Sequence, residues 1–378
     1  MKRRPLFVAL LLLAAAAVAA AAGASAKATR GGPVVFVQSN EPSGNQVVAY
    51  DVADNGALLR AGTYATGGNG GAATPGTESD HLASQGSLVY DASHELLFAV
   101  NAGSDTVSTF SVHGDQLRLE DVVDSGGSFP ASIAVDDKLV YVLNSGGTGI
   151  VQGFRIAGDK LRPISKSARS LGLANGDPPD FLTSPGQVGF TPDGSRLLVT
   201  TKASGSTVDV FEVGADGRLS STPVRNPSAT PVPFAFTFTS GGRLAVGEAG
   251  ASTVSTYALG ADGTLADPKS QTDGQTALCW ILRVGDYYYV SNTGSNTLSA
   301  YRITAEGQPT LVGATGLVAT TDPGPIDLTA PSGTDFLYAQ TGSGSVHAYQ
   351  IDDDGTLTQV GVVRGLPVGM EGIASTQA

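Results

Sequence analysis

Short runs of alternating apolar and polar residues fill this chain, and helical spacing of apolar residues is absent beyond its N-terminal segment. Residues 130–164 show the pattern well. Residues 130–135 read as a short strand, Asp136 and Asp137 as a turn, and 138–144 as a second strand that is apolar on both faces. After a Ser145, Gly146, Gly147 turn, the alternation through Ile150, Gln152, Phe154 and Ile156 marks a third strand. Gly158 and Asp159 turn the chain into a short outer strand, 161–164.

The third strand belongs to a phrase that returns along the sequence: glycine, small polar residues, an aliphatic residue, two spacers, an aromatic, a spacer and an aliphatic residue. Clear copies are GSDTVSTFSV (103–112), GSTVDVFEV (205–213), GASTVSTYAL (250–259) and GSNTLSAYRI (294–303); looser ones begin at Gly44, Gly147 and Gly342. The aromatics fall at Tyr50, Phe110, Phe154, Phe211, Tyr257, Tyr301 and Tyr349, spaced 60, 44, 57, 46, 44 and 48 residues apart. A strand-rich unit of about 40–50 residues is the signature of a propeller blade. The expectation is an all-β, seven-bladed β-propeller with four antiparallel strands per blade. Residues 34–39 match a second strand and 367–374 a lone inner strand. The C-terminal strand is therefore expected to pair into the N-terminal blade and close the ring, leaving no free sheet edge.

Lys2, Arg3 and Arg4 precede an apolar run, 6–22, that ends in Ala24, Ser25, Ala26. This is the pattern of a cleaved signal peptide, 1–26, followed by a single propeller domain, 27–378, destined for the periplasm or the exterior. No other run is long and apolar enough to span a bilayer. Cys279 is the one cysteine, so no internal disulfide is possible and packing alone must hold the fold. Net charge is −12, and loss of the three basic leader residues makes it −15. Such a surface argues against nucleic acid or anionic membrane as a partner and is a poor field for steering in a phosphorylated substrate. The expected partner is a small molecule or another extracellular protein, and the expected state a monomer.

Two interblade loops, 65–86 and 171–186, account for the stretched spacings. Both fall on the face where loops converge on the central channel, and loops of that length in a compact domain tend to carry function. His81 lies in the first, with Asp80 beside it to fix its tautomer and Gln85 further along. It reads either as a general base or as a solvated loop histidine. The ends of the second strands carry Asn101, Asn144 and Asn292, which read as turn-closing residues or ligand contacts. At the corresponding places stand Lys202 and Glu248. These two could polarise a carbonyl and handle a proton, or pair with each other as a structural ion pair. Ser132, Gln187, Asp327 and Glu371, on inner strands, are further candidates, either to line the channel or only to bond its water. No His/Cys/Asp cluster has metal-ligand spacing, and neither a nucleophile-elbow nor a phosphate-cradling motif is present, so neither metal nor cofactor is expected. Asp352, Asp353, Asp354 and Gly355 lack the downstream glutamate of a calcium loop.

Through FTPDGSRLLVTT (190–201), LLFAVNAGSDTVSTF (96–110) and YYVSNTGSNTLSAY (288–301), the mature chain resembles the seven-bladed lactonase-like propellers. That superfamily includes 6-phosphogluconolactonase and 3-carboxymuconate lactonizing enzyme. The resemblance implies the propeller fold and a lactone or cyclic ester as substrate, to be hydrolysed or isomerised. Its members carry Pro-Arg-His at an inner-strand start and Asn-Glu at the end of the next second strand. Here the starts read Pro130-Ala131-Ser132, Pro185-Gly186-Gln187 and Pro233-Phe234-Ala235, and only Glu248, after Gly247, matches the acidic half. Catalysis by His81 or Glu248 with Lys202 stands against a non-catalytic binding propeller.

Overall fold

The computed structural model describes residues 31–74 and 79–377; the signal-peptide segment 1–26 and Glu78 lie outside the described residues. The strands sort into seven antiparallel sheets, and each sheet is one blade. Blade 3 keeps the order read from its sequence: Pro130–Asp136, Leu139–Asn144, Ile150–Ala157 and Lys160–Pro163 from the channel outward. Its outer edge carries a second short piece, Arg169–Ser170, and blade 6 likewise splits its outer edge into Pro309–Leu311 and Leu317–Thr320.

Blade 1 closes the ring. Its second strand, Val34–Gln38, pairs with Ile373–Ser375 through Val35↔Ser375, Phe36↔Ala374 and Val37↔Ile373. The strand is shorter than the 367–374 expected. Gly369 and Gly372 take left-handed backbone (φ +77° and +107°), which breaks extended geometry and turns 367–372 into a corner instead.

The repeat phrase supplies the packing between blades. All seven of its aromatics are at most 2 % exposed. Each packs into a cluster shared with the preceding blade: Phe154 with Leu96 and Phe98, Phe211 with Tyr141, and Tyr349 with Tyr289. The described residues form seven such clusters, one for each interface around the ring. A second device reinforces them. Tyr141, Tyr289 and Tyr338 each donate a hydroxyl to the carbonyl of a glycine in the next blade's hairpin turn, namely Gly217, Gly355 and Gly56 (2.8, 3.1 and 3.0 Å). Those glycines have φ of +80°, +87° and +80°, where a larger residue would be strained.

Candidate active site

The two long loops do not lie loosely on the surface. They brace each other: the Thr74 amide donates to the Pro179 carbonyl (2.8 Å) and the Phe181 amide to the Thr74 carbonyl (2.9 Å). The first loop then descends into the central channel and plugs it. Leu82, Ala83 and Ser84 are wholly buried. The Ser84 hydroxyl donates to Ala131 O (2.7 Å), while Ser84 O accepts from the Trp280 indole (2.9 Å). Gln85 holds blade 6 with both ends of its amide, donating to Ile281 O (3.2 Å) and accepting from Ile281 N (3.1 Å). Its backbone amide donates to Gly186 O (3.0 Å), and its carbonyl accepts from the Ser132 hydroxyl (2.6 Å). The plug thus satisfies its own polar backbone with groups from several blades, as a buried irregular segment must.

Ionisable groups cluster around this plug. Glu371, in the C-terminal corner, accepts from the amides of Leu82 (2.5 Å) and Ser84 (3.4 Å), and its carboxyl shares a hydrogen bond with that of Asp80. Asp80 is 2 % exposed and accepts from the Ala83 amide at 2.7 Å. Burial pushes its pKa up to about 6, against the pull of the Lys202 ammonium. Burial and the neighbouring Asp80 charge raise Asp327 to about 8, though the Gly372 amide, at 3.0 Å, favours its ionised form. Glu371 rises well above the usual carboxylate range, through burial first and then the Asp80 and Asp327 charges. Among the described residues no group of three or more His, Cys, Asp or Glu is arranged to hold a metal ion.

Lys202 is the cation of this cluster. It opens a single helical turn, Lys202–Gly205, just after the second strand of blade 4, at φ +41°. Its side chain is 1 % exposed, and its ammonium donates to Ala83 O (2.6 Å) and Phe181 O (2.8 Å). No third acceptor lies in reach among the described residues, which leaves one N–H for a ligand. The ammonium sits 5.0 Å from the centre of the Phe234 ring and 5.5 Å from that of Phe181. Burial lowers its pKa to about 8, with Asp80 opposing the shift.

Above Lys202 and Asp80 opens a pocket of about 300 Å³ between blades 4, 5 and 6, walled by Phe181, Leu182, Val232, Phe234 and Ala277, with Cys279 and Thr293 at its side. Val232 and Ala277 hold left-handed backbone (φ +64° and +57°), an uncommon conformation for any non-glycine residue and an outlier for a β-branched one. Phe129, at the corresponding place before the blade 3 inner strand, shares it (φ +56°), so the device belongs to the blade corners. Burial pushes the Cys279 thiol far above its ordinary range, so it stays protonated.

The other sequence-predicted residues fall elsewhere. Glu248 is completely buried and accepts hydrogen bonds from four hydroxyls, those of Ser228, Thr230, Ser255 and Tyr257. Among the described residues it makes no ion pair with Lys202. His81 is half-buried on the plug, its ring lying on the bare backbone of Gly369, where a Cβ would come within 1.9 Å of it. Burial lowers its pKa, and the nearby Glu41 opposes this. The three asparagines close turns. Asn101 and Asn292 donate to the serine and threonine hydroxyls of the following strand, and Asn144 donates to Ser125 O (3.1 Å). Gln187 bridges two inner strands by accepting from the Phe236 amide at 2.6 Å. The structure therefore brings together Asp80, Lys202 and Asp327, and leaves His81 and Glu248 apart from them. Sequence marks Glu371 as a channel-lining candidate but not the aromatic walls at Phe181 and Phe234; only the length of the loop around Phe181 marks that region.

Fold and site together define a seven-bladed β-propeller with its channel plugged and a small pocket at the channel mouth. Solved bacterial propellers share this fold. A protein of Lactobacillus plantarum matches with a TM-score of 0.71 at 20 % identity, over 91 % of this chain and 98 % of its own. A candidate 6-phosphogluconolactonase of Bacteroides uniformis matches at 0.72 and 17 % identity, and a periplasmic gluconolactonase of Pseudomonas aeruginosa at 0.67 and 16 %, each over 91 % of this chain and 98 % of its own. No protein-family model and no curated protein sequence matches the chain. At these identities the likeness is one of fold.

Proposed function

We propose that this chain is an exported lactonase-like propeller that opens a lactone or cyclic ester in the pocket above Lys202. The observation that carries the reading is the placement of a buried ammonium with an open N–H beside a buried carboxyl, both at the floor of one small cavity. Lys202 donates its remaining N–H to the ester carbonyl and stabilises the oxyanion that forms as water adds. Asp80 takes the proton from that water and returns it to the ring oxygen when the C–O bond breaks. The Glu371 carboxyl, whose pKa is raised by burial and by the Asp80 and Asp327 charges, holds Asp80 by a hydrogen bond and favours its ionised form. Export is supported by the residue pattern of 1–26 and by the likeness to a periplasmic gluconolactonase.

The test is a panel of lactones assayed by acid release, with Asp80→Asn and Lys202→Met as controls. Turnover lost by about 10²-fold or more in both variants, with folding retained, supports the reading. Turnover indifferent to both variants overturns the site, and binding without turnover by the native chain establishes the non-catalytic alternative.

A further inference from the structure

The chemistry of the pocket walls narrows what the site can accept. None of the five main wall residues, Phe181, Leu182, Val232, Phe234 and Ala277, has a polar side-chain atom. The side-chain polar groups that reach the lining are those of Lys202, Asp80, Cys279, Thr293 and Ser79. Two of the three Lys202 donors are already committed, and the Cys279 thiol is a weak hydrogen-bonding group. A sugar lactone brings several hydroxyls. Each one buried without a partner costs about 1–3 kcal/mol, and these walls cannot supply partners for them all. A phosphate would need more positive charge than Lys202 provides, and Lys202 already faces the Asp80 and Glu371 carboxyls. At the lip, Leu182 is 58 % exposed although it is a large apolar residue, and it continues the apolar wall outward. The volume is at the low end of the roughly 300–1,000 Å³ typical of small-molecule sites.

We propose that the pocket over Lys202 takes a mainly apolar acyl compound, an alkyl- or aryl-substituted lactone whose carbonyl meets the ammonium and whose substituent runs between Phe181 and Phe234 to Leu182. This rests on the site assigned above but not on its catalytic competence. The molecule carries its own probe. Trp280 is the sole tryptophan, it is completely buried, and its ring lies 4.7 Å from that of Phe234 in the pocket wall.

The experiment titrates the mature chain with an alkyl δ-lactone, its unreactive lactam, glucono-δ-lactone and the 6-phosphate of the latter, following Trp280 fluorescence for binding and acid release for turnover. The expected result is saturable quenching or enhancement by the alkyl lactone and lactam, at concentrations at least 100-fold below any response to the two sugar lactones. Leu182→Asp, at an exposed position, should weaken lactam binding at least tenfold while leaving the urea midpoint unchanged. Sugar lactones binding as tightly as the alkyl compounds, no binding of the lactam, or lactam binding unmoved by Leu182→Asp would each overturn the inference. Lactam binding without turnover of any lactone leaves the inference standing and removes the catalytic reading. Turnover of gluconolactone with no lactam binding does the reverse.

Discussion

Lys202 and Glu248 are alike in sequence, charged residues where three other blades carry asparagine, yet the fold gives them opposite surroundings. Sequence fixes the place of a residue along a strand. It does not fix which groups close over it, and a one-residue change of facing reverses the outcome. Lys202 escapes the sheet because the chain leaves strand geometry at its own left-handed φ, so its side chain reaches the plug and the second loop. Glu248 stays in register opposite Pro233 and Thr253 and is enclosed by hydroxyls. Glu248→Ala should therefore cost stability, about 2–4 kcal/mol in denaturant unfolding, because the hydroxyl cage loses its common acceptor. A stability loss below about 0.5 kcal/mol would refute the structural role. The proposed catalytic pair has a different signature. Asp80 must be ionised and Lys202 protonated, so kcat/KM should rise through a pKa near 6 and fall through one near 8. A profile flat from pH 5 to 9 would exclude the pair.

At the scale of elements, the strands were legible because each blade repeats one alternation and one aromatic, and local pattern suffices to name them. The long loops were legible only as departures from the repeat, through the spacings of 60 and 57 residues. That the first loop plugs the channel was not legible. Its partners, Ala131, Gly186, Trp280 and Glu371, lie far away in sequence, and no periodicity links them to residues 82–85. The plug depends on bare backbone beside it. At Gly342 a Cβ would stand 1.9 Å from the Ser79 carbonyl oxygen, a rigid neighbour that must shift to admit it. Gly342→Ala should therefore loosen the segment that carries Asp80. Hydrogen exchange at residues 79–85 should speed up while the strands of blades 2 to 5 keep their protection. Unchanged exchange in the plug would mean that the loop is held by its channel contacts alone.

At the scale of the whole molecule, ring closure and plug meet in the C-terminal corner. Ile373–Ser375 completes blade 1, and Glu371, two residues earlier, holds the plug. The ring thus encloses three carboxyls and one ammonium, and that enclosure sets how stability changes with pH. Asp327 and Glu371 keep their protons in the folded chain at pH values where the unfolded chain has released them. From about pH 4 to about pH 8 the folded state therefore binds more protons than the unfolded state, and the contribution of these carboxyls to stability falls as pH rises. Lys202 acts in the opposite sense, losing its proton near pH 8 when folded and near 10.5 when unfolded, so its share of stability recovers only above pH 8. The cluster as a whole should be at its least favourable near pH 8. Asp327→Asn removes one of these titrations while leaving an oxygen to accept the Gly372 amide. Relative to the native chain, this variant should gain stability as pH rises from 5 to 8, with a slope of at most about 1.4 kcal/mol per pH unit. Urea midpoints of the two proteins that run parallel across that range would show that Asp327 is ionised throughout, and the account of a protonated core behind the plug would fall.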